Sequence, residues 1–191
     1  MKLTAAIAGL AAALAVAGAA QADPLFDLFQ TVCVKTQAQP AAALKVAESQ
    51  GWVALPPQVA AQLTKAFGAD ASGDARVDMA THRLAVVGEK EFPLGAGKTK
   101  VQICTVGVPA ADATDIKAEA AEFAGVAPYA PATDAHTTAY VFTEDGSRHT
   151  AIANPNDDKT MASLVTSGRA RVVFVQADGP IAFAAYAIPE K

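Results

Sequence analysis

Two cysteines, Cys33 and Cys104, constrain this 191-residue chain more than any other feature, because the patterns around them differ. Leu25, Leu28, Phe29, Val32 and Cys33 recur at i, i+3, i+4, i+7 and i+8, the apolar stripe of a helix. Gln102, Cys104, Val106 and Val108 instead occupy alternate positions, the period of a strand. A bond between the two cysteines therefore lays the first helix on the face of a sheet. It closes a loop of 71 residues (104 less 33), which chain-entropy reasoning values at about 4 kcal/mol. The alternative for such a pair is a redox or metal centre. No C-x-x-C is present to favour it.

Whether the pair is oxidised depends on the compartment. Lys2 is followed by an uncharged run from Leu3 to Ala19 and then by Ala20-Gln21-Ala22, a small-x-small junction. This is the pattern of a signal peptide, residues 1–22, cleaved between Ala22 and Asp23. A membrane anchor needs ~20 strongly apolar residues, whereas this run is mostly alanine and no cationic cluster follows it. The expectation is a periplasmic or secreted single α+β domain over residues 23–191, with no stable membrane insertion after cleavage. Without Lys2, 14 basic residues stand against 19 acidic ones, a formal charge of −5. That balance argues against nucleic acid, whose phosphates need Lys and Arg, and against a polybasic membrane-surface module.

Asp23-Pro24 opens the first helix. Pro40 opens a second, with Leu44 and Ala47 on one face and Gly51 as its end. Pro56-Pro57 opens a third, with Val59, Leu63, Ala66 and Phe67 facing inward and Gly68 as its stop. Residues 69–76 are small and polar and read as a loop. The rhythm then changes to alternation: strands over 81–87 and 100–108, joined by the Gly- and Pro-containing stretch 88–99. Thr114 or Asp112 caps a helix with Ile116, Ala120 and Phe123 inward, ended by Gly125. A hairpin follows over 137–143 and 148–152, and Asp158 begins a short helix with Met161, Leu164 and Val165. The last unit pairs 171–177 with 181–188 around Asp178-Gly179, a strong turn signal. The fold class is thus α+β: N-terminal helices followed by an antiparallel sheet of about six strands (three hairpins) with interspersed helices. A two-residue Asp178-Gly179 loop sets Phe174 opposite Phe183 and Val172 opposite Ala185. Val173 and Val175 then share the other face with Ala182 and Ala184. Both faces are apolar, the mark of a central, covered pair; the alternative is that one face is an open interaction surface.

Each candidate for chemistry meets a structural alternative. Gly95-Ala96-Gly97-Lys98-Thr99 imitates a phosphate loop, but position 92 is Phe and a β pattern follows where a helix N-terminus is needed; it reads as a hairpin turn. Among the histidines, His82, His136 and His149, hairpin arithmetic places His149 opposite Phe142 and leaves His136 about 20 Å away along the strand. No metal site is expected from them. Asn154, Asn156, Asp157 and Asp158 are oxygen-rich but lack the spacing of a calcium loop, so they read as a turn and a helix cap. No serine sits in a G-x-S-x-G elbow. Trp52, the lone tryptophan, follows a helix-stopping glycine and reads as core or lid.

The run Phe29-x3-Cys33-x2-Thr36, with Gly51-Trp52 and Leu55-Pro56 beyond it, resembles the start of small exported bacterial proteins of uncharacterised function. The resemblance implies export and no particular activity. No catalytic, cofactor or metal residues are assigned, and no cofactor is expected. The leading expectation is a non-enzymatic binding or interaction module of the cell envelope with a protein or small-molecule partner. Its rivals are a small hydrolase using one of the histidines as base, and an accessory or inhibitor subunit.

Overall fold

The computed structural model describes residues 24–66, 73–94, 97–113, 115–154 and 157–190. The proposed cleavage site at Ala22–Asp23 lies outside them, as do Phe67, Gly68, Gly95, Ala96, Thr114 and Asn156.

The first helical stretch is α1 (Pro24–Phe29), continued by a π-helical turn over Gln30–Val34. All five stripe residues are buried, Leu25, Phe29, Val32 and Cys33 completely. The stretch ends where Gln37 and Ala38 both take left-handed backbone, φ +54° and +52°, a conformation costly for residues with a Cβ. The Ala38 N–H donates to the Cys33 carbonyl at 2.9 Å across this stop. Then come α2 (Pro40–Ser49), β1 (Val53–Ala54), α3 (Pro57–Ala66), β2 (Asp74–Asp78), β3 (Arg83–Leu94) and β4 (Gly97–Pro109). The second half runs α4 (Ile116–Ala124), β5 (Thr137–Asp145), β6 (Arg148–Ala151), α5 (Asp158–Thr166), β7 (Ala170–Gln176) and β8 (Ile181–Pro189). No helix among the described residues is long and apolar enough to cross a membrane.

The strands form one eight-stranded sheet, order β1-β2-β3-β4-β8-β7-β5-β6, with every pairing antiparallel. Eight strands replace the expected six because Val53–Ala54 pairs as β1 with Val77 and Arg76, and because residues 74–76 are not loop. Arg76 makes that polar stretch a workable strand: its guanidinium reaches Asp74 at 2.8 Å and Glu48 of α2 at 2.9 Å, so its charge is paired where it is covered. The stretch 88–99, read as a connection, is also largely strand. Glu89 faces Gln102, Glu91 faces Lys100, and Leu94 pairs with Gly97. Of the phosphate-loop imitation, Gly97, Lys98 and Thr99 belong to β4. The outer strands are short, two residues in β1 and four in β6, which limits edge-to-edge pairing.

One sheet face carries the main core. Ala85, Val87, Cys104, Val106, Val108, Tyr140, Phe142, Val173, Val175 and Tyr186 lie there against α1, α2 and α4, and Trp52 joins them as a core residue. Cys33 and Cys104 are bonded with Cα atoms 5.3 Å apart, fixing the π-helical turn onto β4. On the opposite face α3 covers Ala75, Leu84 and Val86. Of its expected inward stripe Leu63 packs on that cluster, but Val59 and Ala66 are exposed, and Ala60 and Thr64 are the buried positions. Small residues let α3 approach closely. A Cβ at Gly73 would meet Thr64 Cγ2 at 2.3 Å.

Both later hairpins keep the expected faces but shift register by two. In β7–β8, Phe174 faces Ala185 and Val172 faces Ala187. The expected Asp178-Gly179 turn would close on an Ala177–Pro180 pair, and Pro180 has no N–H to give it. In β5–β6 the turn centres on Gly146, φ +60°, followed by Ser147, so His149 faces Glu144 and not Phe142. Because the shift is even, every side chain stays on its side of the sheet.

Candidate functional site

Helix α4 organises the functional geometry. Ile116, Ala120 and Ala124 bury its inner face, and Gly125 at φ +60° ends it with an N–H to the Ala121 carbonyl at 3.0 Å. The residue N-terminal to the helix is Asp115, which makes no side-chain capping bond, in place of the expected Asp112 or Thr114. Between α4 and α1 lies an open groove of about 410 Å³, lined by Phe26, Asp27, Gln30, Glu119, Glu122 and Phe123. Its two rings meet edge to face, centroids 5.8 Å apart at 70°. Aromatic carbon and three carboxylates therefore share one concave surface. A second groove, about 280 Å³, runs under the segment 126–131, where Pro128, Tyr129 and Pro131 face Val141 and Ile152. That segment also covers part of the β5 edge, Tyr129 N–H donating to the Ala139 carbonyl at 2.7 Å.

Beneath the C-terminal end of α4 is a polar cluster that sequence reasoning missed. His149 Nδ1 lies 2.7 Å from the Phe123 carbonyl oxygen and Nε2 lies 3.8 Å from Glu144 Oε1. Arg171 Nε donates to Glu144 Oε2 at 3.0 Å, and its Nη1 donates to the Gly168 and Ala170 carbonyls at 2.8 and 3.0 Å. The imidazole is tilted 31° over Phe142, centroids 4.3 Å apart, and meets Phe123 edge-on at 4.9 Å. The fully buried Tyr186 hydroxyl lies beside this cluster without a hydrogen bond of good geometry among the described residues. Burial first, and the Glu144 charge second, push its titration far above the usual phenol range.

The other expected candidates are dispersed. His82 is exposed in the β2–β3 turn at φ +57°, and His136 is exposed just before β5, 3.6 Å from Asp178. Asp157 caps α5, accepting from Thr160 N–H at 2.8 Å and from its hydroxyl at 2.6 Å, contacts that hold its carboxyl below the usual range. Among the described residues no group of three or more His, Cys, Asp or Glu is placed to hold a metal ion. Comparison of the chain with known families, with curated proteins and with solved structures finds no match.

Proposed function

We propose that this chain is an exported, disulfide-stapled binding module whose α1–α4 groove takes an organic cation, an amine or guanidinium carried free or on a basic segment. One observation carries the reading: Phe26 and Phe123 share a single groove with Asp27, Glu119 and Glu122. Carboxylates attract the charge, and aromatic carbon takes the alkyl stem or the face of the cation. Both groove walls are anchored, α1 through the Cys33–Cys104 bond next to it and α4 through its contact with His149. A pre-formed surface spares a ligand the cost of ordering it. The bonded cysteines fit an oxidising compartment, and the acidic balance of the chain favours cationic partners over phosphates. The likeness of its opening residues to small exported bacterial proteins supports export. A binding role is favoured over a histidine-based hydrolase because both ring nitrogens of His149 face protein groups, the Phe123 carbonyl and Glu144.

Titration with phenethylammonium, arginine amide and trilysine, followed by NMR, tests the proposal. Signals of Phe26 and Phe123 shift with the cations and not with a neutral amide analogue, and Asp27→Asn with Glu122→Gln weakens the response. A stronger response to trilysine than to the single amines points to a basic segment as the source of the cation. Unchanged groove signals at about 10 mM of all three cations, weaker than the usual floor of specific affinity, reject the reading.

A further inference from the structure

The last four carbonyls of a helix have no partner within it. In α4 the Phe123 carbonyl is one of these, and His149 of β6 reaches it at 2.7 Å. A carbonyl only accepts, so Nδ1 carries the hydrogen, and Nε2 faces Glu144 Oε1 at 3.8 Å. The same imidazole packs against the Phe123 ring. Phe123 is thus held at its carbonyl and at its ring, and it lines the groove. We infer that His149 is a positioning residue for the Phe123 wall of the groove.

The ring is held on its other sides as well: Nε2 faces Glu144, which Arg171 Nε holds at 3.0 Å, and the imidazole lies over Phe142 with centroids 4.3 Å apart. A ring fixed on these sides holds its Nδ1–H in place beneath the Phe123 carbonyl.

The bearing of this inference on ligand binding rests on the proposed groove; its bearing on Phe123 does not. In the disulfide-intact chain, His149→Phe keeps a ring but loses the donor, so amide exchange in the last turn of α4 quickens and the Phe123 signals broaden or move. His149→Asn keeps an N–H donor and leaves both as in the parent, and His136→Asn changes neither. At pH 8, phenethylammonium affinity falls about tenfold in His149→Phe, the worth of one ordinary hydrogen bond, and recovers in His149→Asn. Unchanged exchange and unchanged Phe123 signals in His149→Phe overturn the inference, as does undiminished affinity in that variant. If Phe123 responds to His149→Phe but neither the parent nor any variant binds the probe, the positioning role stands and the proposed ligand class falls.

Discussion

The two ends of α4 meet the sheet through the same three kinds of side chain. At its start, Lys117 Nζ and His136 Nδ1 lie 3.7 and 3.6 Å from Asp178 Oδ2, with side-chain exposures of 43%, 72% and 52% for Lys117, His136 and Asp178. At its end, Glu144 stands between Arg171 and His149, and the exposures are 16%, 13% and 11%. Cation, carboxylate and imidazole recur; water does not. In the exposed group, solvent screens the charges, so such contacts contribute ~0–1 kcal/mol. In the covered group each member has replaced water with the others, and losing one strands the rest.

The largest expected effect follows from that contrast. Arg171→Ala leaves the Glu144 carboxylate covered without its cation and frees the Gly168 and Ala170 carbonyls. It is expected to lower unfolding free energy by about 3 kcal/mol, the cost of breaking a buried pair, with urea denaturation as the measurement. Asp178→Asn and Lys117→Ala at the other end are expected to cost less than about 0.5 kcal/mol. Equal losses at the two ends would erase the distinction.

A smaller effect separates the ends by pH. Asp134 Oδ1 accepts N–H bonds from Thr137 at 2.7 Å and His136 at 2.8 Å, and these contacts hold its carboxyl below the usual range. A carboxyl lowered in the folded state stabilises that state fully above its unfolded value. The contribution is lost as pH falls through the folded value, hence below about pH 4. Protection of the His136 and Thr137 amides, taken relative to their intrinsic exchange rates, should therefore fall between pH 5 and 3. Asp134→Asn keeps an acceptor that does not titrate and should remove the change. An acid loss of protection that persists in this variant assigns the effect elsewhere.

The same contrast shows what a sequence reveals. The stripe ending at Cys33, the alternation through Cys104 and their bond follow from local periodicity, and local periodicity survives folding. The covered group does not follow, because Arg171 and Glu144 are 27 residues apart and meet through the β5–β7 pairing. The β5–β6 pair was within reach. Centring its turn on Gly146-Ser147 puts Glu144 opposite His149, whereas a turn one residue earlier, on Asp145-Gly146, shifts the register by two and puts Phe142 there. An even shift leaves every apolar residue on its proper face, so hydrophobic pattern cannot detect it. Pro180 was the legible clue in the other hairpin, since a missing N–H bars the tighter turn. The strand over residues 74–78 was hidden for a different reason: Asp74 and Arg76 read as loop until Glu48 of α2 supplies the partner that lets Arg76 be covered.

The smallest effect tests the covered group from below. Tyr186 is fully buried beside Glu144 and Arg171, yet its hydroxyl closes no hydrogen bond of good geometry among the described residues. If Glu144 is satisfied by Arg171 alone, the hydroxyl is a desolvated polar group in an otherwise apolar position, and such groups cost about 1–3 kcal/mol. Tyr186→Phe keeps the ring, which meets Phe29 edge to face at 6.1 Å, and removes that group, leaving only a small void. The two changes oppose each other, so stability in urea should stay within about 0.5 kcal/mol of the parent or rise slightly. A loss above about 1.5 kcal/mol would mean that the phenol donates to Glu144 as a charge-assisted bond. Glu144 would then be held by both Tyr186 and Arg171, and Arg171→Ala should cost less than the full price of a stranded charge. The two variants together therefore decide how many donors hold the carboxylate that faces His149.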